Sequence, residues 1–517
     1  MMQDQDKVYD VCIVGCGAAG GVLSYELSRQ GFSVVVFEEG PRFDPFKDFR
    51  NDEAYARRLL LRQDMVLDGK DPMRIFMVKA VGGGTVHYAG ICLRLHRNDF
   101  RIKTLDGVGE DWPIRYEDLE PYYDKVEKML GVSGTNTNPF DEPRGPYPLP
   151  PHSPNVNGQV IIQGAQKLGL HPVAAPLAIL SQAYDGRFAC NQCGFCFEGC
   201  RMTAKSSVDL VYVPRAEQNG ALIRPNCRVR RLETDAQGKV SEAVYFDEYR
   251  REQRKRAKLF IVACNAVNTP RLLLNSESSR FPDGLANHNG VVGRYFMHNT
   301  VAAVFGEFER RLESYKGLPQ GTIIQDFYET DAKRGFARGY TMESFFVGPL
   351  SIANGFMSHL WGDELSSFMS RYPHYSALWL GGEDLPHENN RISLDSEQKD
   401  EYGMALPRIT YGYGENDLKL REHSMQMAEA IFEAAGATRS HRSPARGSAH
   451  LMGSCRMGDD PERSVVDSFG RSHSVPNLFL CDGSVFVTST AANPTLTIQA
   501  LATRTADYIG AEKNSLI

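Results

Sequence analysis

The feature that most constrains the fold is a strand, a glycine turn and a helix near the start of the chain. The run Tyr9-Asp-Val-Cys-Ile-Val14 predicts a buried strand, and Ser33-Val-Val-Val-Phe37 predicts a second one after a helix at 21–30. Between them lies Gly15-Cys-Gly-Ala-Ala-Gly20. Its glycines suit a tight turn, close approach of a pyrophosphate and close packing of helix on strand. The pattern predicts a βαβ unit that opens a parallel sheet.

The same unit predicts a dinucleotide site. A helix N-terminus offers free backbone N–H groups and the positive end of the helix dipole, which favour a phosphate. Glu38 follows Gly20 by eighteen positions and ends the second strand, where a carboxylate suits the ribose hydroxyls. The candidate binding residues of this unit are therefore Gly15, Gly17, Ala18, Ala19, Gly20 and Glu38. The turn does not distinguish NAD from FAD.

Composition excludes several classes of protein. A chain of 517 residues is too long for one core and predicts two domains. Because 58 basic residues stand against 64 acidic ones, nucleic acid is not expected as a partner. No apolar run approaches the ~20 residues of a membrane span, and Met1 to Asp10 is not an export signal. The cytoplasm is the default expectation, and export together with a partner subunit stays open.

The remaining pattern predicts an α/β (α+β) fold. Three strand-like runs between Asn226 and Cys264 predict a β-meander with a solvated, basic tip at 250–256. Helices are expected at 116–129, 157–168 and 416–436, and alternating runs at 343–347 and 376–380 predict antiparallel strands. We expect residues 1–98, 190–305 and 447–517 to form a Rossmann-like nucleotide-binding domain. Residues 99–189 and 306–446 are expected to form a substrate-binding cap domain built on an antiparallel sheet.

Four cysteines, Cys190, Cys193, Cys196 and Cys200, stand within eleven residues. Their spacing C-x2-C-x2-C-x3-C resembles that of bacterial ferredoxins, although Arg201 replaces the proline that follows the fourth cysteine there. Four thiolates also suit zinc, and free cysteines pack well in a loop without any metal. An iron-sulfur cluster, a zinc site, and reduced thiols or a disulfide are the alternatives.

Several further segments resemble the glucose-methanol-choline (GMC) oxidoreductase family of flavoenzymes. They are Phe37-Glu-Glu-Gly40, the glycine-rich loop from Gly82 to Gly90, Cys264 to Leu274, His450 to Gly458, and Asn477 to Ser484 continuing to Asn493-Pro-Thr-Leu-Thr497. They occur in the family's order over nearly the whole chain. With the cysteine loop included, the resemblance is greatest to the sugar and polyol dehydrogenase branch, and long-chain alcohol oxidases of the family carry similar loops.

The resemblance implies FAD as the cofactor. Gly83, Gly84 and Thr85 match the loop that passes against the isoalloxazine ring, where a side chain would collide. His87 matches a histidine that some members bond covalently to the flavin; the alternative is a hydrogen-bonded core histidine. Asp482 and Gly483 match the contact with the ribityl and pyrophosphate groups, and Val229 matches a strand position beside the adenine.

The resemblance also implies the catalytic pair. His450 matches the histidine that removes the hydroxyl proton while the hydride goes to flavin N5, a task that suits an imidazole. Asn493 matches its partner at the flavin edge, where an amide stabilises the developing negative charge on the substrate oxygen.

The expected function is oxidation of a CH–OH group of a sugar, glycoside or other alcohol by an FAD-dependent dehydrogenase. An iron-sulfur cluster would pass the electrons to an external acceptor, such as a partner subunit or a cytochrome. The alternatives are an oxygen-using alcohol oxidase without a cluster, a non-redox FAD-containing lyase, and a structural or metal-storage protein.

Overall fold

The computed structural model describes residues 7–60, 64–443 and 447–517. Its strands are β1 Tyr9–Val14, β2 Val34–Phe37, β3 Val66–Asp68, β4 Arg74–Ile75, β5 Val173–Ala174, β6 Leu222–Arg224, β7 Arg228–Thr234, β8 Val240–Phe246, β9 Glu252–Val262, β10 Met297–His298, β11 Thr300–Glu307, β12 Thr322–Ile324, β13 Tyr340–Ser344, β14 Tyr375–Gly382, β15 Arg391–Lys399, β16 Ala405–Thr410, β17 Arg439–Ser443, β18 Gly447–Ser448, β19 Leu451–Met452 and β20 Leu478–Leu480.

The α-helices are α1 Ala18–Arg29, α2 Pro45–Asp48, α3 Glu53–Ala56, α4 Ile102–Asp106, α5 Tyr116–Leu130, α6 Val156–Lys167, α7 Val208–Val211, α8 Val213–Gln218, α9 Asn265–Leu274, α10 Pro349–Ser351, α11 Gly362–Ser370, α12 Glu415–Ala435, α13 Thr495–Ala511 and α14 Lys513–Leu516. The longer predicted helices, α5, α6 and α12, are confirmed to within a residue or two at each end.

The first sheet has the strand order β6-β2-β1-β9-β8-β7, and β20 also pairs with β9. The strands β6, β2, β1, β9 and β20 run parallel, which confirms the predicted βαβ unit. Helix α1 begins at Ala18, three residues earlier than expected, because Gly17 serves as its N-cap residue. The glycine turn therefore ends directly on the helix N-terminus.

The predicted β-meander is confirmed as β7-β8-β9, with antiparallel pairing throughout. The predicted solvated tip is wrong in its extent. Residues 252–256 belong to β9 and pair with β8, and Lys255 is buried with its ammonium over the Tyr9 ring. The aliphatic stem of a lysine packs readily against apolar surface, so a basic run does not exclude a buried strand.

The second large sheet is the cap sheet, with the order β17-β11-β14-β13-β12-β5 and antiparallel pairing. One face of it packs on α6 and α12 through apolar side chains such as Met342, Leu378 and Leu380. Because side chains alternate along a strand, the other face carries Glu343 and Trp379. Strand β14 confirms the predicted run at 376–380, whereas β13 ends at Ser344 and overlaps the predicted run at 343–347 only in its first two residues.

Helix α5 packs with the first sheet's core, although it lies in the segment predicted to belong to the cap. Its Tyr116, Leu119 and Tyr123 join the largest apolar cluster, and the Tyr123 hydroxyl lies 2.9 Å from the Thr497 hydroxyl on α13. The predicted domain limits stay a prediction. In the part of the chain that the structure describes, every helix is too short or too polar to cross a membrane.

Candidate active site

The glycine turn is held by tight backbone contacts. A Cβ on Gly20 would lie 1.9 Å from the Gly15 carbonyl oxygen, so the helix reaches the strand only with glycine there. Glu38 braces the same turn: its Oε2 accepts from the Cys16 N–H at 2.9 Å and its Oε1 from the Gly40 N–H at 2.9 Å. Burial raises the pKa of this carboxyl to about 8. Each of its oxygens keeps a second lone pair that a ribose hydroxyl would use.

The glycine-rich loop lies directly against this turn. A Cβ on Gly83 would come within 2.7 Å of the Gly17 Cα, whereas nothing lies within 4 Å of a Cβ position on Gly84. Thr85 shapes the loop: its hydroxyl donates to the Gly82 carbonyl at 2.6 Å and accepts from the Val208 N–H at 3.0 Å. The loop therefore pairs a bare backbone with open space, as a flat ring would require.

His87 is the polar side chain that ends this loop. Its Nδ1 lies 2.8 Å from the Phe197 carbonyl oxygen, so Nδ1 carries the proton and donates it. Its Nε2 is buried and has no hydrogen-bond partner among the described residues. Burial lowers the pKa of His87 to about 4, which keeps the ring neutral. A buried nitrogen with a free lone pair normally has a partner. A flavin bound beside His87 would supply one, whereas an apolar core would not.

Asp482 joins two segments near the predicted pyrophosphate position. Its Oδ2 accepts from the Asn265 N–H at 3.0 Å and the Thr269 hydroxyl at 2.6 Å, while its Oδ1 accepts from the Ser484 N–H at 2.7 Å. Gly483 follows it, and a Cβ there would lie 2.2 Å from the Leu451 carbonyl oxygen. Leu451 follows His450 in the chain, so the backbone beside His450 leaves room only for glycine at position 483. Val229 lies on β7 and is buried, and its position beside the adenine stays a prediction.

His450 is oriented by Asn299. The Nδ2 of Asn299 donates to the Gly382 carbonyl at 3.1 Å and the Thr490 carbonyl at 2.6 Å, so its Oδ1 must be the atom that faces the ring. That Oδ1 lies 2.7 Å from His450 Nδ1. Because an amide oxygen only accepts, Nδ1 must be protonated. The lone pair of His450 is therefore on Nε2, which no described residue bonds.

The surroundings keep the His450 ring neutral. Burial, with a smaller contribution from the nearby His298, lowers its pKa to about 4. His298 is itself fully buried, with its ring 4.1 Å from the Tyr411 ring. A neutral imidazole with a free Nε2 is the form that accepts a proton from an alcohol.

Asn493 belongs to the same arrangement. It precedes α13, and its Oδ1 is buried without a partner among the described residues. Asn299 bonds Thr490 in the loop that leads to Asn493, and the Asn493 side chain neighbours the Glu343 carboxyl of the cap sheet. Trp379 pairs with Glu343 across β13 and β14, and its ring lies 5.4 Å from the His450 ring. The structure thus links both predicted catalytic residues through Asn299 on one side and through Trp379 and Glu343 on the other.

The cysteine loop, residues 190–200, lies beside the glycine-rich loop. Cys196 is buried, Cys190 and Cys200 are partly exposed, Cys193 is exposed, and all four line one small pocket. The N–H groups of Gln192 and Lys205 donate to Cys190 Sγ at 3.2 Å and Cys200 Sγ at 3.4 Å. None of the eleven cysteines, all of which lie in the described residues, is bonded to another, so the structure does not contain the disulfide alternative. Within 7–60, 64–443 and 447–517, no set of three or more His, Cys, Asp or Glu side chains is arranged around one metal position.

Lys205 connects the two loops. Its ammonium is buried and donates to the carbonyls of Val86 at 2.8 Å, Tyr88 at 2.9 Å and Cys196 at 2.5 Å. Those carbonyls flank His87 on one side and belong to the cysteine loop on the other. These bonds and the hydrogen bond from His87 to Phe197 hold the cysteine loop against the glycine-rich loop, behind the predicted position of the flavin edge.

Sequence reasoning missed five residues of this site: Asn299, His298, Trp379, Glu343 and Lys205. None of them lies in a glycine-rich or cysteine-rich motif. Glu343 and Trp379 each stand in a run that reads as an ordinary antiparallel strand, and their common face is visible only after the strands pair. A signal existed for Lys205, because it follows the fourth cysteine by five residues.

The fold and site define a flavin-type nucleotide-binding oxidoreductase. The chain matches the two models of the GMC oxidoreductase family, over residues 9–300 and 386–502, and it belongs to that family. It is accordingly an FAD-dependent oxidoreductase that acts on CH–OH donors, and the fit of the Gly17, Gly83 and His87 surroundings to a flavin agrees with this.

Relatives of known activity span its full length. The chain is 33% identical to 2-methyl-1,2-propanediol dehydrogenase from Mycolicibacterium austroafricanum, over 98% of this chain and 96% of that one. It is 30% identical to the fructose dehydrogenase large subunit of Gluconobacter japonicus, over 98% and 99%. It is 34% identical to paromamine 6'-oxidase of Streptomyces fradiae, over 99% and 93%.

Solved structures agree on the fold. The structure of pyridoxine 4-oxidase from Mesorbium loti matches with a TM-score of 0.70 at 17% identity, over 96% of this chain and 98% of that one. Formate oxidase from Aspergillus oryzae matches with a TM-score of 0.71 at 14% identity, over 99% and 100%. The predicted combination of parallel and antiparallel sheets is confirmed.

Proposed function

We propose that this enzyme is a dehydrogenase of small polyhydroxylated alcohols or sugars, with His450 as the base and Asn493 as the group that holds the substrate oxygen. The observation that carries the proposal is the hydrogen bond of 2.7 Å between His450 Nδ1 and Asn299 Oδ1, which leaves the Nε2 lone pair for the alcohol proton. FAD, when bound, supplies a hydride acceptor at N5.

The pocket wall supports a polar substrate. Glu343 and Trp379 on the cap sheet face the segment that carries His450 and Asn493, so the pocket offers hydrogen-bonding groups beside an aromatic ring. Aromatic and polar groups in one pocket suit a hydroxylated carbon chain, whose C–H faces pack on the ring. The diol, sugar and aminoglycoside named by the relatives are of this kind.

For His87, we propose a covalent bond from Nε2 to the flavin. The protonated Nδ1 and the unpartnered, neutral Nε2 support it, because only a nitrogen with a lone pair bonds to an electrophilic carbon. The position of His87 at the end of the glycine-rich loop also supports it.

For the cysteine loop, we propose that Cys190, Cys193, Cys196 and Cys200 hold an iron-sulfur cluster. Their shared pocket and the N–H groups that donate to two of the sulfurs support the proposal, since such hydrogen bonds stabilise cluster sulfurs. A cluster, when bound, supplies one-electron chemistry toward an external acceptor, either a partner subunit or a cytochrome. Exposed Cys193 lies where such an acceptor would approach.

The test is anaerobic mixing of the purified enzyme with diols and sugars while the flavin absorbance is followed. A substrate should bleach the flavin band, and a lyase would leave it yellow. His450→Ala should keep its FAD and lose about 100- to 10,000-fold in the reduction rate. His441→Ala is the matched control, because His441 is partly buried on β17 and bonds Glu307 away from the pocket. A wild-type rate in His450→Ala would remove His450 as the base.

The cluster is tested on the same sample by its iron and acid-labile sulfide. Iron at about three or four atoms per chain would support it. A clean flavin spectrum without iron in anaerobically prepared protein would contradict it and make oxygen the acceptor to test.

A further inference from the structure

The face of the cap sheet that looks toward His450 is unusual for a buried sheet because it is polar. Glu343 and Thr341 on β13 are both fully buried, and they lie on the face opposite to Met342, which packs on the side of α6 and α12. Their direct neighbours across the sheet are Trp379 and Gly381 on β14. Burial of a carboxylate without a cationic partner is costly in free energy, so a carboxyl in this position favours its neutral form.

Glu343 has an incomplete set of partners. Its Oε2 accepts from the Gln320 Nε2 at 2.6 Å. Its Oε1 is buried and has no hydrogen-bond partner within the described part of the chain, and the same holds for the Oδ1 of Asn493. The Asn493 side chain lies beside this carboxyl, where its contact acts to lower the carboxyl's pKa. Two oxygen atoms that each need a donor therefore belong to adjacent side chains.

We propose that Glu343 is a positioning residue for Asn493, and that its carboxyl performs this role in the protonated, uncharged form. The proposal rests on the proposed function, because it assigns Glu343 to the hold on the substrate oxygen. The proton on Glu343 supplies the donor that the paired oxygens need. The Asn493 amide is thereby fixed from the cap side with an N–H toward the pocket.

The uncharged form of Glu343 is required because of the charge that develops on the substrate oxygen. As the substrate hydroxyl loses its proton to His450, its oxygen becomes more negative and needs the Asn493 amide as a donor. A carboxylate behind that amide would repel the developing charge and compete for the same N–H. A neutral carboxylic acid does neither.

The surroundings of Glu343 favour the neutral form. Burial outweighs the opposing effect of Asn493 and raises the pKa of this carboxyl to about 8. The groups that face it are uncharged: Gln320, Ile323 on β12, Trp379 on β14 and Asn493 before α13. The titratable group on the facing segment is His450, which is itself held neutral. The acid therefore ionises as the pH rises through about 8.

The test compares Glu343→Gln and Glu343→Leu with Thr341→Val as the matched control, since Thr341 is also buried on the same face of β13. FAD content and anaerobic flavin reduction are measured from pH 6 to 10. Wild-type reduction should slow as the pH rises through about 8. Glu343→Gln should lose this alkaline decline, because an amide cannot ionise.

Glu343→Leu removes the support of Asn493 and should slow flavin reduction about 100-fold with a smaller change in KM. If this variant fails to bind FAD, the pH profile of Glu343→Gln alone decides. An alkaline decline that persists unchanged in Glu343→Gln overturns the proposal, as does wild-type kinetics in a folded Glu343→Leu. If no alcohol or sugar reduces even the wild-type flavin, the proposed function fails instead, which separates the two.

Discussion

Replacing Asn299 by alanine tests the reasoning about the base most directly, because Asn299 touches His450 without being part of the chemistry. The change removes the acceptor of the 2.7 Å bond from Nδ1, together with the donors to the carbonyls of Gly382 and Thr490. His450 then loses both its fixed tautomer and the oxygen that stabilises the imidazolium formed when it accepts the proton.

The magnitude follows from the bond that strengthens as the ring becomes charged. A hydrogen bond to a charged group contributes about 1.5 to 3 kcal/mol, and 1.36 kcal/mol corresponds to a tenfold change in rate. Flavin reduction in Asn299→Ala should therefore be about 10- to 150-fold slower than in the wild type. The loss of three buried hydrogen bonds should also lower the free energy of unfolding by about 2 to 4 kcal/mol.

The assay is anaerobic stopped-flow measurement of flavin bleaching, with FAD content and thermal unfolding measured on the same preparation. The matched control is Asn157→Ala. Asn157 is likewise fully buried and makes hydrogen bonds to Ser376 and to both backbone groups of Ala377, but it does not contact His450. The control should lose stability and keep its reduction rate. A wild-type rate in Asn299→Ala would refute the tautomer argument.

Asn299→Asp extends the same test to pH. The wild-type His450 has its pKa lowered to about 4, so its rate should show no acidic decline between about pH 5 and 8. A carboxylate next to Nδ1 raises the pKa of the ring. Since only the neutral ring accepts the proton, an acidic decline should appear and move toward neutral pH in this variant.

Two further predictions concern the wall behind the flavin. His87→Ala should release its flavin on acid precipitation if the parent holds it covalently, and flavin released from the parent itself would end that proposal. Lys205→Met removes the donor to Val86, Tyr88 and Cys196, so it should leave substrate-driven flavin reduction nearly intact but slow transfer to an external acceptor about 10- to 100-fold. Equal transfer rates in Lys205→Met and wild type would show that the contact between the loops is structural only.

The sequence predicts the nucleotide half of this molecule well because its constraints are local. The turn at Gly15 to Gly20 requires glycine for contacts within about twenty residues or with an adjacent strand, so the motif itself carries the geometry. The same is true of the predicted β-meander, where each strand pairs with the next one along the chain.

The groups that orient the base could not be predicted in this way. Asn299 lies 151 positions from His450 and 191 from Thr490, and no short-range pattern records that three separate segments meet. A buried asparagine in the middle of a chain is most simply explained as a residue that satisfies backbone groups, which is also part of what Asn299 does. Only the two bonds from its Nδ2 to carbonyl oxygens show that its other polar atom, Oδ1, must face the imidazole.

The two halves of the site place different demands on the chain, and this explains where the charges lie. Near the substrate oxygen, His450 and Glu343 are both held uncharged by burial, so that charge appears there only as the proton moves. Behind the glycine-rich loop, the Lys205 ammonium is buried among carbonyl groups next to the cysteines. A buried cation is best tolerated beside groups that carry negative charge, and four thiolates sharing an iron-sulfur cluster would provide it. The buried Lys205 ammonium therefore supports the proposed cluster in the cysteine loop.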